Sequence, residues 1–228
     1  MRTSLLFRAA IAAAVSVFVL TAAGCDLFAP PMTDGPPVEP VQYKPRTTRA
    51  NVIYNLSSAY EERNLDEYMD CLAEEFTFHL AQVDLDEDAT LPEYWGKAME
   101  RSIHEKMFGI VPVQNPENEV EKITLTLTTG PYDHDEGADP VDPMDDRWTY
   151  RLSTDLMVWF PNNLQRRADA DVEFVFRIDP LETNPEDGDT LFEIVKWEDL
   201  ATDGGSFRPL QPDVEETSFG LLKATYLE

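Results

Sequence analysis

The side chains best suited to move a proton at neutral pH are few. His79 lies in the run Phe76-Thr77-Phe78-His79-Leu80, and an imidazole titrates near neutrality. Set against the phenol of Tyr60 or Tyr150, or the carboxylate of Asp199, it would make an acid–base pair. The same run alternates, which places Phe76, Phe78 and Leu80 on one face and His79 with Thr77 on the other. His104 follows Ile103 in a helical pattern and reads as a boundary residue. Tyr60, Phe78, Trp95, Trp148, Tyr150 and Trp197 offer aromatic surface that either lines a small-ligand pocket or fills a core.

Metal and thiol chemistry have less to work with. Residues 132–146 hold Asp133, Asp135 and Asp139 among other acids, and hard carboxylates invite calcium. An EF-hand reading fails there, because Gly137 comes too early and Met144 stands where the bidentate Glu belongs. No metal site is assigned, and calcium-dependent surface contact through this loop stays as an alternative. Cys25 and Cys71 are the two cysteines, too few for a disulfide scaffold or a CxxC zinc site. Cys71, in a helical pattern, reads as a small buried hydrophobe. With 18 Lys+Arg against 44 Asp+Glu, the net charge is −26. That excludes binding to nucleic-acid phosphates and docking of a basic patch on anionic lipid. Excess carboxylate also keeps a protein soluble in saline surroundings.

The elements that must position these residues begin after an N-terminal address. Arg2 and Arg8 precede an uncharged stretch, residues 9–24, too short for a membrane span and suited to a secretory signal. It ends Ala22-Ala23-Gly24-Cys25, which resembles the lipobox of bacterial lipoproteins. The resemblance implies cleavage after residue 24, fatty acylation (palmitate) of Cys25, and a chain held at the membrane through its N-terminal lipid only, in the cell envelope outside the cytoplasm. Residues 25–46 read as a tether with six prolines in 26–46. Proline removes amide donors and favours an extended course, up to ~65 Å when fully drawn out.

At 228 residues and 43% hydrophobic, the remainder is long enough to bury a core of its own. Thr48–Arg63 is amphipathic at helical spacing, with Val52, Ile53, Leu56, Ala59 and Tyr60 on one face. Leu65, Tyr68, Met69 and Leu72 share the face of a short second helix. Thr90-Leu91-Pro92-Glu93 resembles a capping box with Pro in the first turn, and predicts a third helix to about Phe108 that turns Trp95, Met99 and Ile103 inward. Residues 120–128, 147–160 and 170–178 alternate as strands, and 190–199, with Phe192, Ile194, Val195 and Trp197, is a strand apolar on both faces. Helices first and strands after define an α+β fold, three N-terminal helices on an antiparallel sheet of four to six strands. Residues 201–217 form a link, and Ser218–Leu227 is apolar. That segment packs on the domain as an edge strand or cover over Val175, Met157, Trp159 and Trp197, or forms a dimer face.

The order Ala59-Tyr60-Glu61-Glu62-Arg63-Asn64, Leu65-Asp66-Glu67-Tyr68, Leu72-Ala73-Glu74-Glu75-Phe76-Thr77-Phe78, with the closing strand Phe192–Asp199, resembles the nuclear transport factor 2-like superfamily over residues 47–200. The resemblance implies that the sheet is curved and the domain a hollow cone suited to small hydrophobic ligands, in a superfamily that includes isomerases, dehydratases and cyclases. Laid over its steroid isomerases, this chain has Leu80 where their shuttling Asp falls and Leu56 where their oxyanion Tyr falls. Leucine supplies neither base nor donor, so that activity is disfavoured. The uncharacterised envelope lipoproteins of the superfamily are the nearer likeness.

These readings predict a lipid-anchored envelope protein, monomer or weak homodimer, that binds a small hydrophobic ligand or an envelope protein without catalysis, cofactor or nucleic acid. The alternative is an acid–base enzyme, isomerase- or dehydratase-like, using His79 with Tyr60 or Asp199.

Overall fold

The computed structural model describes residues 41–129, 147–184, 188–201 and 214–227. The signal segment, Cys25, most of the tether and the acidic loop with Asp133, Asp135 and Asp139 lie outside them. Helix α1, Arg49–Glu62, starts where the Thr48 hydroxyl accepts the Asn51 amide at 3.1 Å. It stops where Arg63 takes the left-handed conformation, φ 53°. That turn lets α2, Leu65–Asp70, begin at once, capped by the Asn64 side chain. The α1 face Val52, Ile53, Leu56, Ala59 and Tyr60 is buried.

Strand β1, Leu72–His79, is followed by α3, Gln82–Glu87, and by β2, Tyr94–Gly96. Helix α4 runs Lys97–Met107. The capping-box reading at Thr90 is therefore corrected: Trp95 pairs with Phe78 on β1 as part of an edge strand, and the helix starts only after Gly96. The consequence is a rotated face. Met99 is 45% exposed, while Glu100, Ile103, His104 and Met107, at i, i+3, i+4 and i+7, are buried. Four helices thus precede the long strands, among the described residues, where three were expected.

Strands β3 (Lys122–Thr129), β4 (Arg147–Trp159), β5 (Gln165–Thr183), β6 (Thr190–Asp199) and β7 (Val214–Glu216) follow, and α5 (Phe219–Ala224) closes the order. The fold is α+β. Its seven-stranded sheet runs β2-β1-β6-β5-β4-β3, with β7 on β5. It is mixed rather than wholly antiparallel: β1 pairs parallel to β6 and β7 parallel to β5. Neither pair is joined by a hairpin, so no turn dictates its direction. Strand β6 leaves β5 at Val172, and β7 takes up the edge at Gln165–Arg167. Between Val175 and Phe176 the β6 partner steps from Lys196 to Ile194. Val195 is the extra residue of this bulge. It accounts for Ile194 and Val195 being buried side by side while Trp197 points to the core.

Ser218–Leu227 enters as a helix and not as an edge strand. Phe219 and Leu222 are buried in the main core with Phe78, Phe174 and Trp197. At the other end of the domain the Asn55 side chain, 3% exposed, accepts the Lys44 amide at 2.9 Å and donates to the Lys44 carbonyl at 2.7 Å. It fastens the incoming chain to α1. Asn55→Ala should cost about 1–3 kcal/mol, the cost of leaving such groups unpaired, in urea unfolding, with faster hydrogen exchange at the Lys44 amide as the local readout.

Candidate functional site

The interior between the helices and the sheet is organised around one carboxylate. Glu100 has no exposed surface. Its Oε2 accepts the Trp95 indole N–H at 2.5 Å, and its Oε1 accepts the Tyr68 hydroxyl and the Lys223 ammonium. Burial alone opposes the charge, yet the Lys223 ammonium and the Trp95 indole outweigh it and hold the carboxyl below its usual range. Glu100 is therefore ionised in the core.

His104 sits one turn on. Its Nδ1 lies 2.9 Å from the Glu100 backbone carbonyl. A carbonyl only accepts, so Nδ1 bears the proton and Nε2 is left to accept the Tyr60 hydroxyl at 2.6 Å. Burial pushes the imidazole down to about 4, against the pull of Glu100, and keeps it neutral. Tyr68 stacks on His104 with centroids 4.1 Å apart, and Tyr60 meets Tyr68 edge-on at 5.3 Å.

Lys223 comes from α5. Its Nζ stands 3.9 Å from the Phe78 ring centroid, 4.3 Å from Trp197 and 4.9 Å from Phe219. Burial lowers its pKa to about 8 while Glu100 raises it, so the ammonium is charged at neutral pH. Ser218 caps α5 by accepting the Leu221 amide at 2.9 Å. Asp199 Oδ2 accepts the Gly220 amide at 2.8 Å, and its Oδ1 accepts Ala201 N–H at 3.1 Å. Gly220 is required by contact: a Cβ there would lie 2.6 Å from Asp84 Oδ2 and 3.3 Å from Leu80 Cγ. That Asp84 oxygen is buried without a hydrogen-bond partner among the described residues.

The three candidate acid–base groups are not brought together. Tyr60 is inside, bonded to His104. Asp199 is at the α5 N-terminus. His79 is half-buried on the other face of β1, stacked on Tyr94 at 5.3 Å with Nε2 3.1 Å from Thr77 Oγ1. Of the aromatic set, Phe78, Trp95 and Trp197 gather at Lys223 and Glu100. Tyr150 packs edge-on to Phe176 under the Arg49 guanidinium, and Trp148 against Phe192. Cys71 is buried, and burial lifts its thiol to about 12.

The sequence pattern assigns no role to Glu100 or Lys223, puts Tyr68 on the apolar face of the second helix, and places His104 at a boundary. Its burial is a correction that follows from the later start of α4. A signal existed: Glu100 and His104 are four apart beside Ile103 and Met107, and Lys223 is the lone charge in an apolar run. Both carboxylate oxygens of Glu100 and both imidazole nitrogens of His104 already have partners within the chain. Among the described residues, no group of three or more His, Cys, Asp or Glu could hold a metal ion. No described helix is long and apolar enough to cross a membrane. A separate open cleft of about 300 Å³ lies where the incoming chain meets α1, lined by Tyr43, Arg46, Asn55, Glu67 and Asn184.

No protein-family model matches the chain, and no curated protein sequence matches it. Among solved structures it is similar to a nuclear transport factor 2-like protein of unknown function from Pseudomonas putida, at 10% identity and TM-score 0.41, over 72% of this chain and 93% of that one. It is similar also to the β subunit of benzoate 1,2-dioxygenase from Burkholderia mallei, at 12% identity and TM-score 0.43, over 68% and 91%. A third likeness is a nuclear transport factor 2-like protein with a cystatin-like fold from Novosphingobium aromaticivorans, at 10% identity and TM-score 0.39, over 68% and 80%.

Burial raises Asp199 to about 6, against its two backbone N–H donors, and Asp84 adds to the rise. Asp84 is itself raised by burial. Raised carboxyl pKa values mean the folded state holds protons more tightly than the unfolded chain. This contribution is complete below the ordinary carboxylate range and is lost as pH climbs through about 6. Urea titrations from pH 4 to pH 7 should show Asp199→Asn flattening the fall by on the order of 2 kcal/mol relative to the unsubstituted chain.

Proposed function

We propose that the chain is a lipid-anchored, non-catalytic binding protein of the bacterial cell envelope, a member of the nuclear transport factor 2-like superfamily held off the membrane by its Pro-rich tether. One observation carries the non-catalytic half. The polar and aromatic groups of the interior are committed to the protein's own C-terminal helix, Lys223 on Glu100 above all, and His79 stands apart from them. An enzyme built on His79 with Tyr60 or Asp199 would need those groups to converge on one substrate atom within hydrogen-bond reach. The partner of this module is a small ligand or another envelope protein, met by the domain as a monomer or weak homodimer. It requires no cofactor and no nucleic acid.

The anchored half rests on residues 1–25: two arginines, an uncharged stretch and Ala22-Ala23-Gly24-Cys25. More than one acyl chain is needed for stable attachment, each buried CH₂ contributing about 0.8 kcal/mol. Expressed in a bacterial host with labelled palmitate, the full chain should take up label and sediment with membranes. Cys25→Ala should lose the label and appear in the soluble fraction. Equal label and sedimentation in both would overturn the anchor.

A further inference from the structure

Lys223 is an unusual side chain for the place it fills. Phe219 and Leu222 on the same helix close the interior with apolar surface, and a Leu or Met at 223 would extend that surface. An ammonium and a carboxylate taken together out of water bring a desolvation cost that apolar replacements avoid. What the charged pair adds is chemical selectivity. The ammonium faces the rings of Phe78 and Trp197 at 3.9 and 4.3 Å, within the range where a cation is drawn to an aromatic quadrupole. It also donates to a carboxylate that Tyr68 and Trp95 hold in place.

The source of each group matters. Phe78 belongs to β1, Trp95 to β2, Trp197 to β6, Tyr68 to α2 and Glu100 to α4. The receptor for the cation stands complete on the framework, apart from Phe219. The cation itself arrives on a six-residue helix, shorter than any helix stable on its own. That helix docks with Gly220 against the buried Oδ2 of Asp84 and beside Asp199.

We propose that the cage of Glu100, Tyr68, Phe78 and Trp197 is a binding site for a primary alkylammonium group, filled in cis by Lys223 and taken over by an external alkylammonium ligand when α5 withdraws. A primary ammonium is selected because Glu100 accepts an N–H, which a quaternary ammonium lacks. The inference rests on the reading of the domain as a binding module. The Cys25 experiment leaves the cage untouched, so either can fail without the other.

The test uses the full chain carrying Lys223→Ala, with n-butylammonium, n-butanol and tetramethylammonium compared at ionic strength matched by potassium chloride. A ligand that binds only the folded state raises the melting temperature in proportion to its occupancy. n-Butylammonium should give a saturable rise of several degrees and a change in tryptophan emission from Trp95 and Trp197. The other two should give neither, and adding Glu100→Gln should abolish the response. If Lys223→Ala does not fold in plain buffer, the same comparison is read as refolding yield. In the unsubstituted chain, n-butylammonium should speed hydrogen exchange of the 219–226 amides with saturation. Equal responses to n-butylammonium and n-butanol would reduce the space to an apolar cavity and overturn the site. Unchanged exchange at 219–226 would overturn the takeover.

Discussion

The ionised carboxylate of Glu100 is the constraint on which the interior depends. A charge this deep is tolerated only when its lone pairs are filled, and its donors come from three places: Tyr68 on α2, Trp95 on β2 and Lys223 on α5. Each of these elements is short. None would hold its position on intrinsic helix or strand preference. The carboxylate therefore sets where they stop. The backbone of the same residue orders His104, whose neutral imidazole passes the constraint to Tyr60 on α1. Helices α1, α2, α4 and α5 are thus indexed to one another by a polar chain, while apolar packing around Phe78, Phe174 and Trp197 supplies the bulk of the burial.

The sheet serves this centre through two irregularities. The bulge at Val195 turns Trp197 inward next to Lys223 and leaves Asp199 at the strand end, where it meets the α5 N-terminus. The parallel docking of β1 on β6 brings Phe78 opposite Trp197, so that two rings from distant parts of the chain face one ammonium. Outside, the alternate residues of β4 and β5 form cross-strand charge pairs. Arg151 meets Asp171 and Arg167 meets Asp155, while Arg177 bridges Glu193 on β6 and Glu75 on β1. Exposed pairs of this kind contribute little individually, but they place like faces in register.

How much of this was legible follows from where the physics is local. The amphipathic spacing of α1 and the alternation of β1, β4 and β5 are written in neighbouring residues, and they are found where periodicity puts them. Thr90-Leu91-Pro92-Glu93 misled because a local capping pattern competed with the pairing of Trp95 on β1, a tertiary gain that no capping rule registers. The parallel pairs were hidden for the same reason: no turn announces them. Within the site, Phe78, Trp95 and Trp197 could be read as interior from their pattern. Glu100 and Lys223 each carried a local signal of burial, but their pairing did not, because a charged residue is ordinarily assigned to the surface and the two are far apart in the chain.

The distribution of positive charge makes the same point from another side. The chain has 18 Lys+Arg against 44 Asp+Glu, so cations are scarce, and most of those described stand at the surface beside carboxylates. Among the described residues, Lys223 is the only buried lysine or arginine. In a strongly acidic protein, a cation spent on the surface would relieve repulsion at little cost. One carried into the core incurs the full desolvation of two ions. An apolar side chain at 223 would fill the volume, but with Glu100 ionised it would leave a buried carboxylate without its cation. The two charges therefore stand or fall together, and the proposed alkylammonium site follows from the same pairing.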